Sequence, residues 1–122
     1  MRPARLGALL TLLLAASAAL SAPSAEEEIA QLLDFVAHSG CEFERNGSRH
    51  TSADAADHLR LKYARGKRYV ASAEQFIDRL ATQSSWTGKP YRVRCAGVER
   101  PAGEWLHEAL QGQRHARARP AP

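Results

Sequence analysis

Long apolar runs are missing from this chain. The longest apolar run, LGALLTLLLAASAAL, has 15 residues and no charge, short of the roughly 20 apolar residues that a membrane span needs. No cysteine follows closely behind it, so a lipidated N-terminus has no acceptor. Neither a Gly-x-Gly-x-x-Gly pattern nor a phosphate loop occurs, which argues against a nucleotide cofactor, and no other cofactor is implied. The segment QSSWT around Ser84 and Ser85 lacks the Gly-x-Ser-x-Gly frame of a serine hydrolase, leaving both as helix-end and turn residues. No internal repeat stands out. Cysteine is scarce: Cys41 and Cys95 are the only two.

What is present starts with a leader. Arg2 and Arg5 precede the apolar run, and the small-residue stretch SAPSA follows it. This order is that of a secretory signal peptide, cut between Ser21 and Ala25, and it places the mature chain in the periplasm with no stable membrane anchor. Residues 1–24 are thus the leader, 25–112 one compact domain, and 113–122 a basic tail. The tail, RHARARPAP with Arg114, Arg117 and Arg119, has no apolar face and reads as disordered. The formal charge of +4 falls to +2 once Arg2 and Arg5 are removed, and residues 26–113 hold 12 basic against 13 acidic side chains. The basicity therefore sits at the chain's ends and does not argue for nucleic acid.

In an oxidising compartment two cysteines pair, and the loop from Cys41 to Cys95 makes that bond worth roughly 4 kcal/mol in the chain-entropy model. A Cys–His nucleophile built from Cys41 with His50 or His58 would need the thiol that this bond removes.

Helical and strand periods alternate along the domain. Ile29, Leu32, Leu33 and Val36 form one stripe, with a capping box from Ser24 to Glu27 and Gly40 as a left-handed stop. CEFER alternates with period two and leads into Asn46-Gly47, the strongest short hairpin signal. Thr51 or Ser52 caps a helix with Ala56, Leu59 and Tyr63 on its apolar side, ending at Gly66. SAEQFIDRLA repeats the first helix's grammar, with Ser72 and Gln75 as its box. YRVRC is a strand, and Glu104 to Gln111 is a short helix that buries Trp105, Leu106, Ala109 and Leu110. The expectation is an α+β domain: about four short helices on a small antiparallel sheet of two to three strands, with one disulfide.

An antiparallel pairing of Cys41 with Cys95 sets Glu42 opposite Arg94, Phe43 opposite Val93, Glu44 opposite Arg92 and Arg45 opposite Tyr91. One side is then apolar with a cation–π contact, the other has two opposite-charge pairs. Arginines beside Glu42 and Glu44 would lower their pKa and spoil either as the acid of a glycosidase.

The segments HSGCEFERNG, HLRLKY, SAEQFI, SSWTGKPYRVRC and EWL, in this order and spacing, resemble a family of small secreted bacterial proteins known as a domain of unknown function. The resemblance covers about residues 26–111. It implies a periplasmic protein of a Gram-negative bacterium without an assigned activity, and it carries over no catalytic residue.

Two candidate sites remain. His50, Asp54 and His58, spaced by four, are the one set with metal-ligand chemistry, although Lys62 on the same helix face would repel a cation. RLKYARGKRY groups Arg60, Lys62, Arg65, Lys67 and Arg68 beside Tyr63 and Tyr69, a surface for an anionic envelope component or an acidic face of another envelope protein. A non-catalytic binding or accessory protein of the cell envelope is the favoured function. The alternative is a metal-assisted hydrolase using His50, Asp54 and His58.

Overall fold

A computed structural model describes residues 3–4, 7–13 and 22–119. Half of residues 1–24, the expected leader, fall outside them; within residues 7–13, Leu9, Leu10, Leu12 and Leu13 stand exposed, outside the core.

Helix α1 (Ala25–His38) starts where Ser24 Oγ accepts from Glu27 N at 3.1 Å, and it buries Glu28, Ile29, Leu32, Leu33 and Val36. Gly40, at φ 66°, turns the chain into strand β1 (Glu42–Arg45). Asn46 and Gly47, at φ 52° and 81°, form a tight turn with both central residues left-handed, whose twist suits a hairpin. The return is β2 (Ser48–His50), and Thr51 then caps α2 (Ser52–Gly66) by accepting from Asp54 N at 3.2 Å. The helix ends at Gly66, a position where a Cβ would meet Leu80 Cδ2 at 2.9 Å.

A 3-10 turn, Lys67–Tyr69, leads to α3 (Ala73–Phe76), capped as expected by Ser72 Oγ accepting from Gln75 N, while Gln75 Oε1 reaches back to accept from Ala71 N, one residue before the cap. The helix does not continue regularly. Ile77–Ala81 widen into a π-helical turn, closed by Thr82 Oγ1 donating to Ile77 O at 2.7 Å. Strand β3 (Arg92–Cys95) follows, then β4 (Val98–Pro101) and α4 (Ala102–Ala118).

The sheet has four antiparallel strands in the order β2-β1-β3-β4, where two or three were expected. The extra strand is β4, reached through Ala96-Gly97 at φ 50° and 78°. An alanine is an unusual tenant of that left-handed position, so the turn carries a weak signal in sequence. Along the chain an αββα unit occurs twice, the two hairpins meeting at β1 and β3. Phe43 pairs with Val93 at the approximate two-fold axis.

The central register is as expected, with Glu42 opposite Arg94, Phe43 opposite Val93 and Glu44 opposite Arg92. Cys41 and Cys95 are bonded, their Cα atoms 4.7 Å apart. The charged partners differ from those the register suggests. Glu42 takes Arg49 of β2 at 3.2 Å, and Arg92 takes Glu99 of β4 at 3.4 Å, each reaching an outer strand instead of its central neighbour.

The helices cover one face of the sheet. Between them lies a core that includes Ile29, Leu32, Phe43, Phe76, Ile77, Val93, Leu106 and Leu110. Trp105 of α4 is half-buried against Phe35 and Phe43, with ring centroids 4.7 and 5.5 Å away.

Residues 113–118, expected as part of the tail, continue helix α4. Helix α4 runs through Ala118 because its arginines find partners on distant elements. Arg114 grips Glu28 with two nitrogens, at 2.8 and 2.9 Å, and also binds Glu74; Arg117 reaches Glu28 at 2.6 Å and Gln31 at 2.8 Å. Residues 120–122 lie outside the described ones. No helix among the described residues is long and apolar enough to cross a membrane.

Candidate functional site

Three elements converge at the turn end of the first hairpin. β1 ends in Arg45, which alternation places on the helix-covered side with Phe43. From α2, His58, Lys62 and Arg65 follow at i, i+4 and i+7, one face of the helix. The chain from Ser84 to Tyr91 closes the third side. Together these residues line a cleft of about 600 Å³ with Asn46, Leu80, Ser85, Trp86 and Thr87, a volume within the range of small-molecule sites.

Tyr91, 6% exposed, is the cleft's anchor. Its hydroxyl accepts from Lys62 Nζ at 3.0 Å and lies 3.3 Å from His58 Nε2. Lys62 Nζ also donates to Gln83 O at 3.0 Å and stands 5.0 Å from the centre of the Tyr91 ring. The cation over Tyr91 is therefore Lys62 and not Arg45, the residue that faces Tyr91 across the sheet. Burial, then the charges of Arg45, Lys62 and His50, push His58 down to about 4. At neutral pH it is an uncharged imidazole, and Tyr91, already accepting from Lys62, donates to its Nε2. Burial and the charge of Arg45 bring Lys62 down to about 8, so it remains mostly protonated at pH 7. Burial also raises the Tyr91 phenol, which keeps it neutral.

No carboxylate among the described residues pairs with Arg45, Lys62 or Arg65. Several acids are committed elsewhere, Asp34 and Asp57 to Arg60, Glu26 to Lys67, Glu28 and Glu74 to Arg114, while Glu44 and Asp54 line the small neighbouring pocket with Arg45 without forming an ion pair to it. The cleft is thus a set of cations with hydroxyl and amide groups around it and no counter-charge. In the second αββα unit the position matching Arg45 is Cys95, held in the disulfide, and Arg100 is matched by Glu108 at 2.6 Å.

The expected basic surface is divided by the fold. Lys62 and Arg65 reach the cleft. Arg60 and Lys67 are neutralised by their acids, and Arg68 lies over the Tyr69 ring at 4.8 Å. Arg45, Tyr91 and Trp86 join the site only through the fold, since nothing local in the sequence links them to α2.

His50, Asp54 and His58 do line one pocket, a small apolar one of about 30 Å³ under α2 shared with Arg45 and Tyr91. They do not form a metal centre: among the described residues no three His, Cys, Asp or Glu side chains are placed to hold an ion. His58 Nε2 is already taken up by Tyr91, two cations flank it, and His50 Nε2 is buried without a partner.

Fold and site define the class: a disulfide-clasped α+β domain with two αββα units and one uncompensated basic cleft. The chain belongs to a family of unknown function, DUF5329, whose model matches residues 23–114. It is similar to an uncharacterized protein, YfeK, of Salmonella typhimurium, 51% identical over 49 residues. That match covers 40% of this chain and 41% of the relative, less than half of either. No solved structure matches.

Proposed function

We propose that this is a periplasmic, non-catalytic binding protein that holds a small anion in the cleft between the first hairpin and α2. One observation carries the reading: Arg45, Lys62 and Arg65 line one open cleft whose lining holds no carboxylate, and none of the three is in an ion pair among the described residues. Gathering like charges and half-burying Lys62 opposes folding, so the arrangement has its explanation in a ligand that supplies the missing charge. Tyr91 and Gln83 fix the Lys62 ammonium in place, which reduces the ordering that binding must impose. The basic, apolar and small-residue order of residues 1–25 supports export, and the disulfide suits an oxidising compartment.

The test is calorimetric titration of the protein with inorganic phosphate and with sulfate at pH 7. Saturable binding that weakens with added salt, and at least tenfold in Arg45→Gln and in Lys62→Gln, is expected. Equal affinity in wild type and both variants would remove the cleft as the site. Recovery from the periplasmic fraction with a shortened N-terminus is the expected outcome for localisation; an intact N-terminus in the cytoplasm contradicts it.

A further inference from the structure

Trp86 is 97% exposed, and it stands at the rim of the basic cleft. Leaving an indole in water forgoes one of the larger burial gains a side chain can offer, and the chain's other tryptophan, Trp105, packs against Phe35 and Phe43. A mobile loop tip would make this unremarkable, but the turn that carries Trp86 is heavily bonded. Ser84, 5% exposed, accepts through Oγ from Trp86 N at 3.2 Å, Thr87 N at 3.3 Å and Asn46 Nδ2 at 3.2 Å. Thr87 Oγ1 donates to Asn46 Oδ1 at 2.5 Å and accepts from Lys89 N at 3.2 Å. Backbone bonds from Ser84 N to Lys89 O and from Gly88 N to Ser84 O, both 3.0 Å, close the turn, with Gly88 at φ 72°.

The turn is therefore ordered without burying its largest side chain. It is tied, moreover, to Asn46, the residue next to Arg45, so the aromatic rim and the cations are held to the same end of one hairpin. A rigid aromatic costs little conformational entropy on binding, which is why such side chains serve as contact anchors. The cleft, at about 600 Å³, is also far larger than a bare phosphate or sulfate requires.

We infer that the ligand is a ring-bearing anion, whose phosphate or carboxylate meets Arg45, Lys62 and Arg65 while the flat face of its ring stacks on Trp86. This rests on the anion-binding reading of the cleft and adds the chemistry of the rest of the ligand. A phosphorylated sugar and an aromatic phosphate share that chemistry, both presenting an apolar ring face beside an anionic group.

Fluorescence titration of a Trp105→Phe variant, in which Trp86 is the only tryptophan, tests this with four probes: inorganic phosphate, glucose, glucose 6-phosphate and phenyl phosphate. At least one ring phosphate is expected to bind tenfold or more tightly than inorganic phosphate and to shift the Trp86 emission. Preference for glucose 6-phosphate assigns a saccharide, and preference for phenyl phosphate an aromatic ring. In the wild-type background, followed by calorimetry, Trp86→Ala is expected to erase that preference while leaving inorganic phosphate affinity in place. Trp86 lies outside the core, so the substitution leaves the fold in place, and an unchanged melting temperature checks this. Equal binding of inorganic and ring phosphates, or a preference untouched by Trp86→Ala, overturns the ring inference and leaves the anion site standing. Absence of binding by all three phosphates overturns both.

Discussion

Replacing Arg114 by alanine tests how the C-terminal helix is held. Arg114 sets two guanidinium nitrogens on Glu28, at 2.8 and 2.9 Å, and a third on Glu74. The Glu28 side chain is only 10% exposed. Stripping the partner from a buried ion pair costs about 3–5 kcal/mol, because the remaining charge stays desolvated. Two features lower that figure here. Glu28 is roofed by guanidiniums, so removing Arg114 admits water, and Arg117 still reaches it at 2.6 Å. Arg114→Ala should therefore cost about 2 kcal/mol, and Arg114→Ala with Arg117→Ala about 3–4 kcal/mol. Against a total of about 5–15 kcal/mol, the double variant is severe.

Equilibrium urea unfolding at pH 7 and pH 3 measures both. The hydrogen bond from Arg114, opposed by burial and reinforced by Arg117, holds the Glu28 carboxyl below the usual range, and Arg114 does the same for Glu74. A carboxyl with a depressed folded pKa contributes stability above its unfolded pKa and loses it as pH falls through the folded one. The gap between wild type and Arg114→Ala should thus be full at pH 7 and shrink as pH drops below about 4. Adding Glu28→Gln to Arg114→Ala should restore part of the loss, since the orphaned charge is gone. A loss under 0.5 kcal/mol at pH 7, or a gap as wide at pH 3, would refute the reasoning.

Three further expectations can be checked in the same assay. Cys41→Ser with Cys95→Ser opens a loop of 54 residues and should cost about 4 kcal/mol, with fully reduced wild type behaving alike; equal stability of oxidised and double-serine protein would contradict it. Ala96→Gly relieves a left-handed alanine at φ 50° and should gain about 1 kcal/mol, whereas a loss would mean the turn is not under strain. Lys62→Met should abolish anion binding yet raise stability by up to about 1 kcal/mol at pH 7, discounted because the side chain is only half-buried. With Lys62 lowered to about 8, wild type gains stability as pH rises from there toward the unfolded lysine value, so the variant's advantage should fade over that window. An advantage constant across it would contradict the assignment.

Local pattern carried the first hairpin, the caps at Ser24, Thr51 and Ser72, and the pairing of β1 with β3, because each rests on spacing within a few residues or on one cross-strand match. β4 was hidden by an Ala-Gly turn of atypical composition. The ordered end of α4 was hidden because Arg114 draws its stability from Glu28 and Glu74, far away in sequence. The doubled αββα order was obscured as well: Ser72 follows Ser24 at a different interval than Ala96 follows Asn46, so no single period exposes it. Of the five basic residues read as one surface, Lys62 and Arg65 reach the cleft and Arg60 and Lys67 find acids, a division made by α1 packing beside α2. Arg45 and Trp86 join the site only through the fold, and no spacing rule links a strand end, a helix face and a turn.

A negative charge bound in the cleft would be felt directly by the Lys62 ammonium. Its pKa can be followed by NMR of the side-chain Cε resonance, with and without saturating inorganic phosphate. A value near 8 in the free protein, rising by at least about one unit when phosphate is bound, is what the account predicts. A Lys62 pKa indifferent to phosphate at saturation would contradict it.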